Sequence, residues 1–593
     1  MSLLFNPSTY DPKSFDEGTR RQLLALVDFF ETKGLARNKE EYYSGEWYTD
    51  FLTLIAEKKI FATFGTPAEV GALVGADGAR WDLARINELN EILGFYSLAH
   101  WYAWQVSVLG LGPVWLSGNE QARKQVATLL DDGNIFGFGL SEREHGADIY
   151  SSDMILTRTE DGYSASGGKW YIGNGNAAGR LSVYGKFADD DPEHPGEHVF
   201  FLVDPSHPSY ELIKNVVAGQ MFVAAFNLHD YPVAPQDILH VGKAAFDAAL
   251  ATVNVGKVNL GWASIGICEH SFYEAVTHAH NRILYGNRVT DFPHVRRMLG
   301  DAYARLIAMK IFAARSTDYF RCAGEDDRRF LLFNPITKAK VTSEGERVID
   351  LLWDVIAARG FERDTYFSRA AVDIRALPKL EGTVHVNIAL VLKFMPRYLG
   401  AAHGAAQDCP VIPVRQDAGD DAYLFHQGPA KGLGSIGFAD WRPAFDRFAH
   451  LPNVGIFRDQ IDAFTQLVMT APPTEAQQKD LDYLQVLGQL FTQIVYAQLI
   501  LESAALALDS GETRPDSVSD LSDLTEAHLD RMFAVFIQDM ADQAVALHGQ
   551  ASATDAQSAA ALAIVRKPQI AADAEQAFVS EVLSYSGAYE MKQ

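Results

Sequence analysis

The chain has 593 residues, of which 48% are hydrophobic and 21% charged, and its formal net charge at pH 7 is −25. This length exceeds what a single hydrophobic core supports, so several domains are expected. The excess of negative charge argues against nucleic acid as a partner, because phosphate binding relies on lysine and arginine. It does not exclude one small anionic ligand in a local basic pocket.

The three cysteines, Cys268, Cys322 and Cys409, are far apart and form no CxxC pair. They indicate neither a disulfide framework nor a metal site, and a reducing cytoplasm fits them. Acidic residues and prolines occur near the N-terminus before any long apolar stretch, which is untypical of a signal peptide. The most apolar segment, 486–508, is interrupted by glutamines and a glutamate, so it predicts a buried helix and no membrane span.

Helical and β-type patterns divide the chain into five predicted parts. Residues 1–133 read as an N-terminal helical domain, whose first helix, RRQLLALVDFFETKG, ends at Gly34. Residues 134–243 contain short β-type runs cut by Gly, Pro, Asn and Asp, which predicts a middle β-domain. Helical patterning returns in 244–400, a loop-rich connector covers 401–453, and 454–593 form an extra C-terminal helical domain. The expected fold class is mainly α with a middle β-domain.

Two stretches of the predicted β-domain carry groups that could bind a ligand. In FGFGLSEREHGAD, 136–148, an apolar run ends in Ser141 beside an acid, and Gly146 and Asp148 turn the chain. In GGKWYIGNG, 167–175, an aromatic pair is flanked by glycines, which let a backbone approach a flat ligand closely. Two ordinary strands with aromatic cross-strand partners explain each stretch equally well on its own.

Taken together and in this order, the two stretches resemble the acyl-CoA dehydrogenase family, whose β-domain carries T/S-E-x-x-x-G-S-D and then G-x-K-x-W-I-T-N-G. That family folds as a helical bundle, a β-barrel and a second helical bundle, and both segments hold the isoalloxazine ring of FAD. The resemblance therefore implies FAD as the cofactor and an acyl-CoA as the substrate. It places the following residues at the cofactor: Phe138, Leu140, Ser141, Tyr171, Ile172 and Gly173.

A third stretch, RILYGNRVTDFPHVRRMLGD at 282–301, is similar to the family segment R-x-x-F-G-x-x-x-x-x-x-Q-x-x-x-x-x-L-A-D. There the arginine binds the FAD pyrophosphate, usually from the neighbouring subunit, so the resemblance implies this role for Arg282 and a homodimer. A guanidinium suits pyrophosphate because its fixed fork meets phosphate oxygens in pairs. Without the resemblance, Arg282 also reads as a helix-end cation that interacts with the helix dipole.

A fourth stretch, FSRAAVDIRALPKLEGT at 367–383, resembles the family motif R-D-x-x-x-x-x-x-x-E-G-T with a slightly longer gap. Glu-Gly-Thr alone is expected by chance in roughly one chain in ten of this size, and a surface loop also explains a lone charge. The resemblance implies that Glu381 is the catalytic base, that Gly382 and Thr383 follow it along substrate and FAD, and that His385 lies near the cofactor. Some members place the base on the first long helix after the β-domain, but 251–267 contains neither Asp nor Glu.

Departures from the family pattern concern the substrate and the electron acceptor. Gly173 replaces the flavin-side threonine, so one hydroxyl near flavin N5 is absent. Ala147 replaces a serine that could contact the CoA arm, and Lys257 replaces an arginine on the helix after the β-domain. Both positions stay candidate substrate residues, together with Gly382. The resemblance covers about residues 10–400, and very-long-chain dehydrogenases and acyl-CoA oxidases also carry an added C-terminal helical domain.

The resemblance implies a cytoplasmic dehydrogenase of fatty-acid β-oxidation that desaturates an acyl-CoA between its α and β carbons. Glu381 would take the α-proton, the β-hydride would pass to flavin N5, and an electron-transfer flavoprotein would accept the electrons. Burial that raises a carboxylate's pKa, and hydrogen bonds to the thioester oxygen, make this proton transfer feasible. The alternatives are an acyl-CoA oxidase, a flavin monooxygenase, a DNA-binding relative and a catalytically silent scaffold. A carboxylate base speaks against the monooxygenase, and the acidic C-terminal part speaks against DNA binding.

Overall fold

The computed structural model describes residues 3–400, 409–415, 417–427, 436–510 and 521–593. Parts of the predicted connector 401–453 therefore lie outside the described residues. The chain divides into two compact units. The β-unit comprises Phe15–Asn259, Asp417–Lys431 and Lys592–Gln593, and the helical unit comprises Met1–Ser14, Leu260–Gln416 and Gly432–Met591. The boundary between the units falls inside one long helix.

Helices begin the β-unit, as the periodicity predicts. Their bounds are α1 Glu17–Ser44, α2 Thr49–Glu57, α3 Ile60–Gly65, α4 Ala68–Val74, α5 Leu83–Tyr96, α6 Leu98–Trp115 and α7 Glu120–Asp131. The predicted end of the first helix at Gly34 is confirmed, because the backbone of Gly34 is not helical, with φ 75° and ψ 168°, and a second helical segment follows this break and continues to Ser44. Beyond the break, the Leu35 N–H donates to the Lys592 carbonyl at 2.6 Å, a contact that local sequence cannot reveal.

The predicted middle β-domain is confirmed. Its strands are β1 Phe136–Gly139, β2 Ile155–Arg158, β3 Tyr163–Gly173, β4 Arg180–Phe187, β5 His198–Val203, β6 Tyr210–Asn215, β7 Val223–Val233 and β8 Ile238–Val241. They form an eight-stranded sheet in the order β6-β7-β3-β2-β4-β5-β8, with β1 pairing with β4. β4 runs parallel to β1 and β2, whereas the other pairs are antiparallel. Apolar residues of alternate strand positions, such as Leu181, Val183 and Phe201, fill the core of the sheet.

A 39-residue helix, α8 Lys243–Asn281, follows the sheet and contains the boundary between the units. The helical unit then begins with a short hairpin, β9 Ile283–Leu284 and β10 Asn287–Arg288. Its first helices are α9 Pro293–Arg321, α10 Phe330–Ile336, a π-helical turn at Thr337–Val341, α11 Thr342–Ile356, α12 Phe367–Asp373, α13 Val384–Val391 and α14 Met395–Gly400. The fold class, mainly α with a middle β-domain, is confirmed.

The predicted extra helices at the C-terminus are present in the helical unit. They are α15 Arg442–Arg447, α16 Pro452–Thr470, α17 Leu481–Ser510, α18 Glu526–His548, α19 Asp555–Leu562 and α20 Ala572–Ser584. Among the described residues, one stretch, Leu481–Leu508 of α17, has the length and apolarity of a membrane-crossing helix, and 83% of its most apolar window is buried inside the protein. A buried core helix has the same composition.

The C-terminal helices pack directly against the helices that precede them in the helical unit. Gly488 of α17 touches α13, where a Cβ on residue 488 would lie 2.3 Å from Ile388 Cγ2. Such a close approach of two helices requires glycine. Arg305 of α9 donates to Asp539 of α18 at 2.8 Å and to Glu344 of α11 at 2.6 Å, so a buried ion-pair network joins three helices.

Candidate active site

The two β-domain motifs are hydrogen-bonded to each other across the end of the sheet. Phe138 of β1 stacks on Phe200 with ring centroids 5.9 Å apart. Beyond β1, the carbonyl of Ser141 accepts a hydrogen bond from the Trp170 amide at 3.1 Å. The carbonyl of Leu140 accepts from Lys169 Nζ at 3.2 Å. The structure therefore brings the serine-containing segment against the end of β3, as a shared ligand site requires.

A buried ion pair fixes this junction. Lys169 Nζ lies 2.6 Å from Glu142 Oε1, and both side chains are almost inaccessible to solvent. Ser152 Oγ and the Asp153 amide also donate to Glu142, at 2.6 and 2.7 Å. Burial alone would raise the pKa of Glu142, but the charge of Lys169 and these hydrogen bonds hold it below its ordinary value. Burial lowers the pKa of Lys169 to about 8, although Glu142 opposes the shift.

The sequence motifs contain Glu142 and Lys169, but motif matching assigned neither of them a role. The sequence signal for this ion pair was the presence of two opposite charges next to apolar strand residues, because buried charges are almost always paired. Their pairing holds the two motif segments against each other.

Glu142→Gln should destabilise the folded protein at pH 7 by about 3–5 kcal/mol, because it leaves the buried ammonium of Lys169 uncompensated. The folded-state pKa of Glu142 lies below its ordinary 4.5, so the ion pair stabilises above that pH and is lost as pH falls through the folded-state value. Denaturant unfolding at pH 7 and pH 4 checks both statements. The double variant Glu142→Gln/Lys169→Met should recover part of the loss, and an equal free energy of unfolding in all three proteins would contradict the prediction.

The backbone at the end of β3 departs from regular strand geometry and carries an exposed aromatic side chain. A bulge separates Trp170 from Ile172 in the pairing with β7, so Tyr171 takes no place in that register. Tyr171 adopts a left-handed backbone conformation with φ 67°, and its side chain is 60% exposed. Ile172 instead points into the hydrophobic core of the sheet. Gly173 is buried against α6.

These residues fit the isoalloxazine ring of a flavin. The bulge frees backbone groups from the ladder, the exposed ring of Tyr171 can cover a flat ligand, and the Ser141 hydroxyl is half-buried beside them. A flat aromatic heterocycle with hydrogen-bonding edges matches this combination of an apolar face and backbone donors.

The two substrate candidates of the β-unit differ in exposure. Ala147 lies on an exposed turn, next to Asp148, whose carboxylate accepts from the Tyr150 amide at 3.2 Å. Lys257 is buried in α8. The carboxylates of α8 are engaged elsewhere: Asp247 pairs with Lys243, Glu269 with Lys310, and Glu274 accepts from the backbone amides of residues 366 and 367.

Glu381 lies on the loop between α12 and α13 in the helical unit. Its backbone is left-handed with φ 52°, and Gly382 follows with φ 83°. A positive φ in a glutamate is uncommon, and such strained residues cluster at functional sites. The side chain is half-buried, with Oε2 inside the protein. Thr383 is the N-cap of α13 and its hydroxyl accepts from the Val386 amide at 3.5 Å.

A buried lysine holds this loop from behind. Lys338, on the π-helical turn, is completely buried, and its Nζ donates to the carbonyls of Pro378, at 2.6 Å, and Gly382. Asn387 adds bonds to the carbonyls of Gly382 and Thr383, at 3.1 and 3.0 Å. Sequence reasoning missed Lys338, and a lysine inside the apolar run FLLFNPITKAKV was the only signal. π-helical turns occur frequently at functional sites.

The last two predicted residues are exposed. The side chain of His385 faces solvent, and its carbonyl accepts from Gln485 Nε2 of α17 at 2.9 Å. Arg282 follows α8, and its guanidinium lies 3.5 Å from His278 of that helix. The hairpin after Arg282 turns at Tyr285, which has φ 53° and is 94% exposed. The structure thus joins Lys338 to the carbonyls of Pro378 and Gly382 in the Glu381 loop, and within the described residues it shows no hydrogen bond between Arg282 and that loop.

Comparisons with known proteins find the same order of helices, β-sheet and helices. Residues 246–395 match the family model "Acyl-CoA dehydrogenase, C-terminal domain". A short-chain specific acyl-CoA dehydrogenase of Megasphaera elsdenii is 25% identical over 286 residues, which cover 46% of this chain and 72% of that protein. The crystal structure of a Bacillus anthracis acyl-CoA dehydrogenase complexed with FAD shares the fold, with a TM-score of 0.69, 15% identity, and coverage of 98% of this chain and 97% of that chain.

A further relative is the caffeyl-CoA reductase–Etf complex subunit CarC of Acetobacterium woodii, 25% identical over 274 residues, which cover 45% of this chain and 70% of that protein. Residues 246–395 thus resemble the C-terminal domain of acyl-CoA dehydrogenases, and the chain shares the fold of the Bacillus anthracis enzyme. On this basis the protein is an oxidoreductase.

Proposed function

We propose that the protein desaturates an acyl-CoA thioester between its α and β carbons, with Glu381 as the base. The observation that carries this proposal is the conformation of the Glu381 loop. A glutamate with φ 52°, followed by a left-handed glycine and held by a buried lysine, is a side chain kept in one orientation at a cost in backbone strain. A charged surface loop without a functional role would not require this strained backbone and its support by a buried lysine.

The proposed reaction removes two hydrogens from the substrate. The α-hydrogen leaves as a proton to the Glu381 carboxylate, and the electron pair of that C–H bond forms the new double bond as the β-hydrogen leaves with its own pair. FAD supplies the acceptor for this hydride when it is bound. The backbone at Tyr171–Gly173 and the Ser141 hydroxyl would hold the flavin ring, while Lys338 and Asn387 hold the Glu381 loop in place.

The nearest alternative is an acyl-CoA oxidase, which would pass the electrons to oxygen. Gly173, where the family has a threonine, is the observation that favours considering it, because the groups around flavin N5 influence oxygen reactivity. We favour an electron-transfer flavoprotein as the acceptor, since the name of the Acetobacterium relative joins a CoA-thioester reductase to an Etf. A flavin monooxygenase needs no carboxylate base, and Glu381 therefore speaks against it.

Anaerobic titration of the FAD-loaded protein with acyl-CoAs of different length and branching tests the proposal. Bleaching of the flavin absorbance, with formation of the enoyl-CoA, is the expected result, and the preferred chain length follows from the rates. Absence of bleaching by every acyl-CoA in a panel from C4 to C20 would reject desaturation. Admitting air to the reduced enzyme then separates the two acceptors: slow reoxidation is expected, whereas rapid reoxidation with peroxide release would identify an oxidase.

We further propose a homodimer that acts in cytoplasmic fatty-acid β-oxidation. The support for the dimer is the exposed hairpin after Arg282, where Ile283 and Tyr285 are 58% and 94% exposed on a short, tight turn. Exposed apolar side chains at such a projection are typical of interaction sites. Light scattering on the FAD-loaded protein should give about twice the 65.4 kDa mass of one chain, and a monomeric mass would reject the dimer.

A further inference from the structure

Gly173 ends strand β3 at the position where the resemblance expects a threonine hydroxyl beside flavin N5. The structure shows why no side chain is possible there. A Cβ on residue 173 would lie 2.5 Å from Val106 Cγ2, 2.8 Å from Tyr102 Cε1 and 3.0 Å from Tyr102 Oη. The first two distances are shorter than real contacts allow, so side chains of α6 already fill the volume that a threonine would need.

The face of α6 that fills this volume is also the face that solvent can reach. Tyr102, Val106 and Leu109 retain 7%, 4% and 8% exposure, whereas Trp101 and Trp104 beside them have none. Residues at spacing i, i+4 and i+7 share one side of a helix. Tyr102 and Val106 therefore combine contact with the position of Gly173 and a small solvent-exposed area.

We propose that Tyr102 supplies, from α6, the hydroxyl at the flavin edge that the family provides from β3. This inference rests on the proposed placement of the flavin at Tyr171–Gly173. A phenol can both donate and accept a hydrogen bond, as a threonine hydroxyl can, so it can serve the oxidised and the reduced ring. In this exchange, Gly173 on β3 leaves a space without a side chain, and the larger side chain of Tyr102 on α6 occupies it.

Tyr102→Phe tests the exchange, because it keeps the ring and removes only the hydroxyl. We expect the purified FAD-loaded variant to show a shifted flavin absorption maximum and a more negative midpoint potential. We also expect flavin reduction by acyl-CoA to slow by about tenfold, the effect of one lost hydrogen bond of about 1.4 kcal/mol. Tyr184→Phe is the matched control, since it removes a buried hydroxyl that has no hydrogen-bond partner within the described residues. An absorption maximum and a potential equal to those of the unmodified protein would overturn the proposal.

A swap provides the second test. The variant Tyr102→Ala/Val106→Ala clears the space beside residue 173, and adding Gly173→Thr restores a hydroxyl from β3. The triple variant should return toward the spectrum and potential of the unmodified protein, whereas the double variant should resemble Tyr102→Phe. Identical spectra for the double and triple variants would count against the exchange.

The spectral and potentiometric comparisons require FAD but no substrate. They therefore test Tyr102 even if no acyl-CoA reduces the flavin, which would reject the proposed function. Conversely, normal reduction of an unperturbed flavin in Tyr102→Phe would reject the role of Tyr102 and leave the desaturation proposal standing.

Discussion

Glu381→Gln should retain bound, yellow FAD and lose turnover by about 10²–10⁴-fold, the range typical of removing a general base. Glutamine has nearly the same shape as glutamate, so the loop and the folded state should persist while proton acceptance is lost. Stopped-flow measurement of flavin bleaching by acyl-CoA isolates this step from reoxidation. The FAD content and the melting temperature of the variant should match those of the unmodified protein.

Glu346→Gln is the matched control for Glu381→Gln. Glu346 pairs with Lys379 and Arg375 in the segment that precedes the base, so its neutralisation changes the local charge without touching the proposed proton acceptor. We expect turnover within a few-fold of the unmodified enzyme. A Glu381→Gln enzyme that bleaches at an unchanged rate would remove Glu381 from the mechanism.

Lys338→Met should lower both turnover and stability, because it removes two hydrogen bonds from a buried ammonium to the carbonyls of Pro378 and Gly382. Hydrogen bonds to a charged group contribute about 1.5–3 kcal/mol each, so the combined loss should be about 3–6 kcal/mol. We expect turnover to fall by about 10²-fold, equivalent to about 3 kcal/mol, since the base loop is then no longer held in its strained conformation. Steady-state kinetics and thermal unfolding measure the two effects.

Lys340→Met separates loop positioning from general destabilisation. Lys340 lies two residues away on the same π-helical turn and is also buried, but its Nζ pairs with Glu344 at 2.7 Å and not with the base loop. Its removal should lower the melting temperature and preserve most of the turnover of the folded enzyme. Equal losses of turnover in the Lys338 and Lys340 variants would show that the loop does not depend on Lys338 specifically.

Periodicity and turn chemistry were sufficient to predict the order of helices, sheet and helices, because each element carries its own local pattern. The helix stop at Gly34 was predictable because glycine readily adopts a positive φ, here 75°, whereas the contact of Leu35 with Lys592 beyond it was not. Motif order predicted that the segments containing Ser141 and Trp170 act together, and the structure joins them by a hydrogen bond.

The supporting residues could not be predicted, because their partners are far away in the sequence. Lys338 reaches a carbonyl 44 residues further along the chain, and its place in an apolar run indicates burial but not which groups it binds. Tyr102 and Gly173 lie on a helix and a strand of different motifs, so only coordinates reveal that one excludes a side chain on the other. The roles assigned to Glu381, Arg282 and the flavin-side residues stay predictions until the variants are measured.

The close contact of Gly488 with Ile388 has a consequence for any truncation of the chain. A module tethered by a linker can be deleted without exposing a core, whereas α17 shares its interior with α13, the helix that begins directly after Thr383. Deleting α17 would expose apolar side chains of α13 to solvent next to the Glu-Gly-Thr loop. Such a truncation would therefore not yield a stable smaller enzyme.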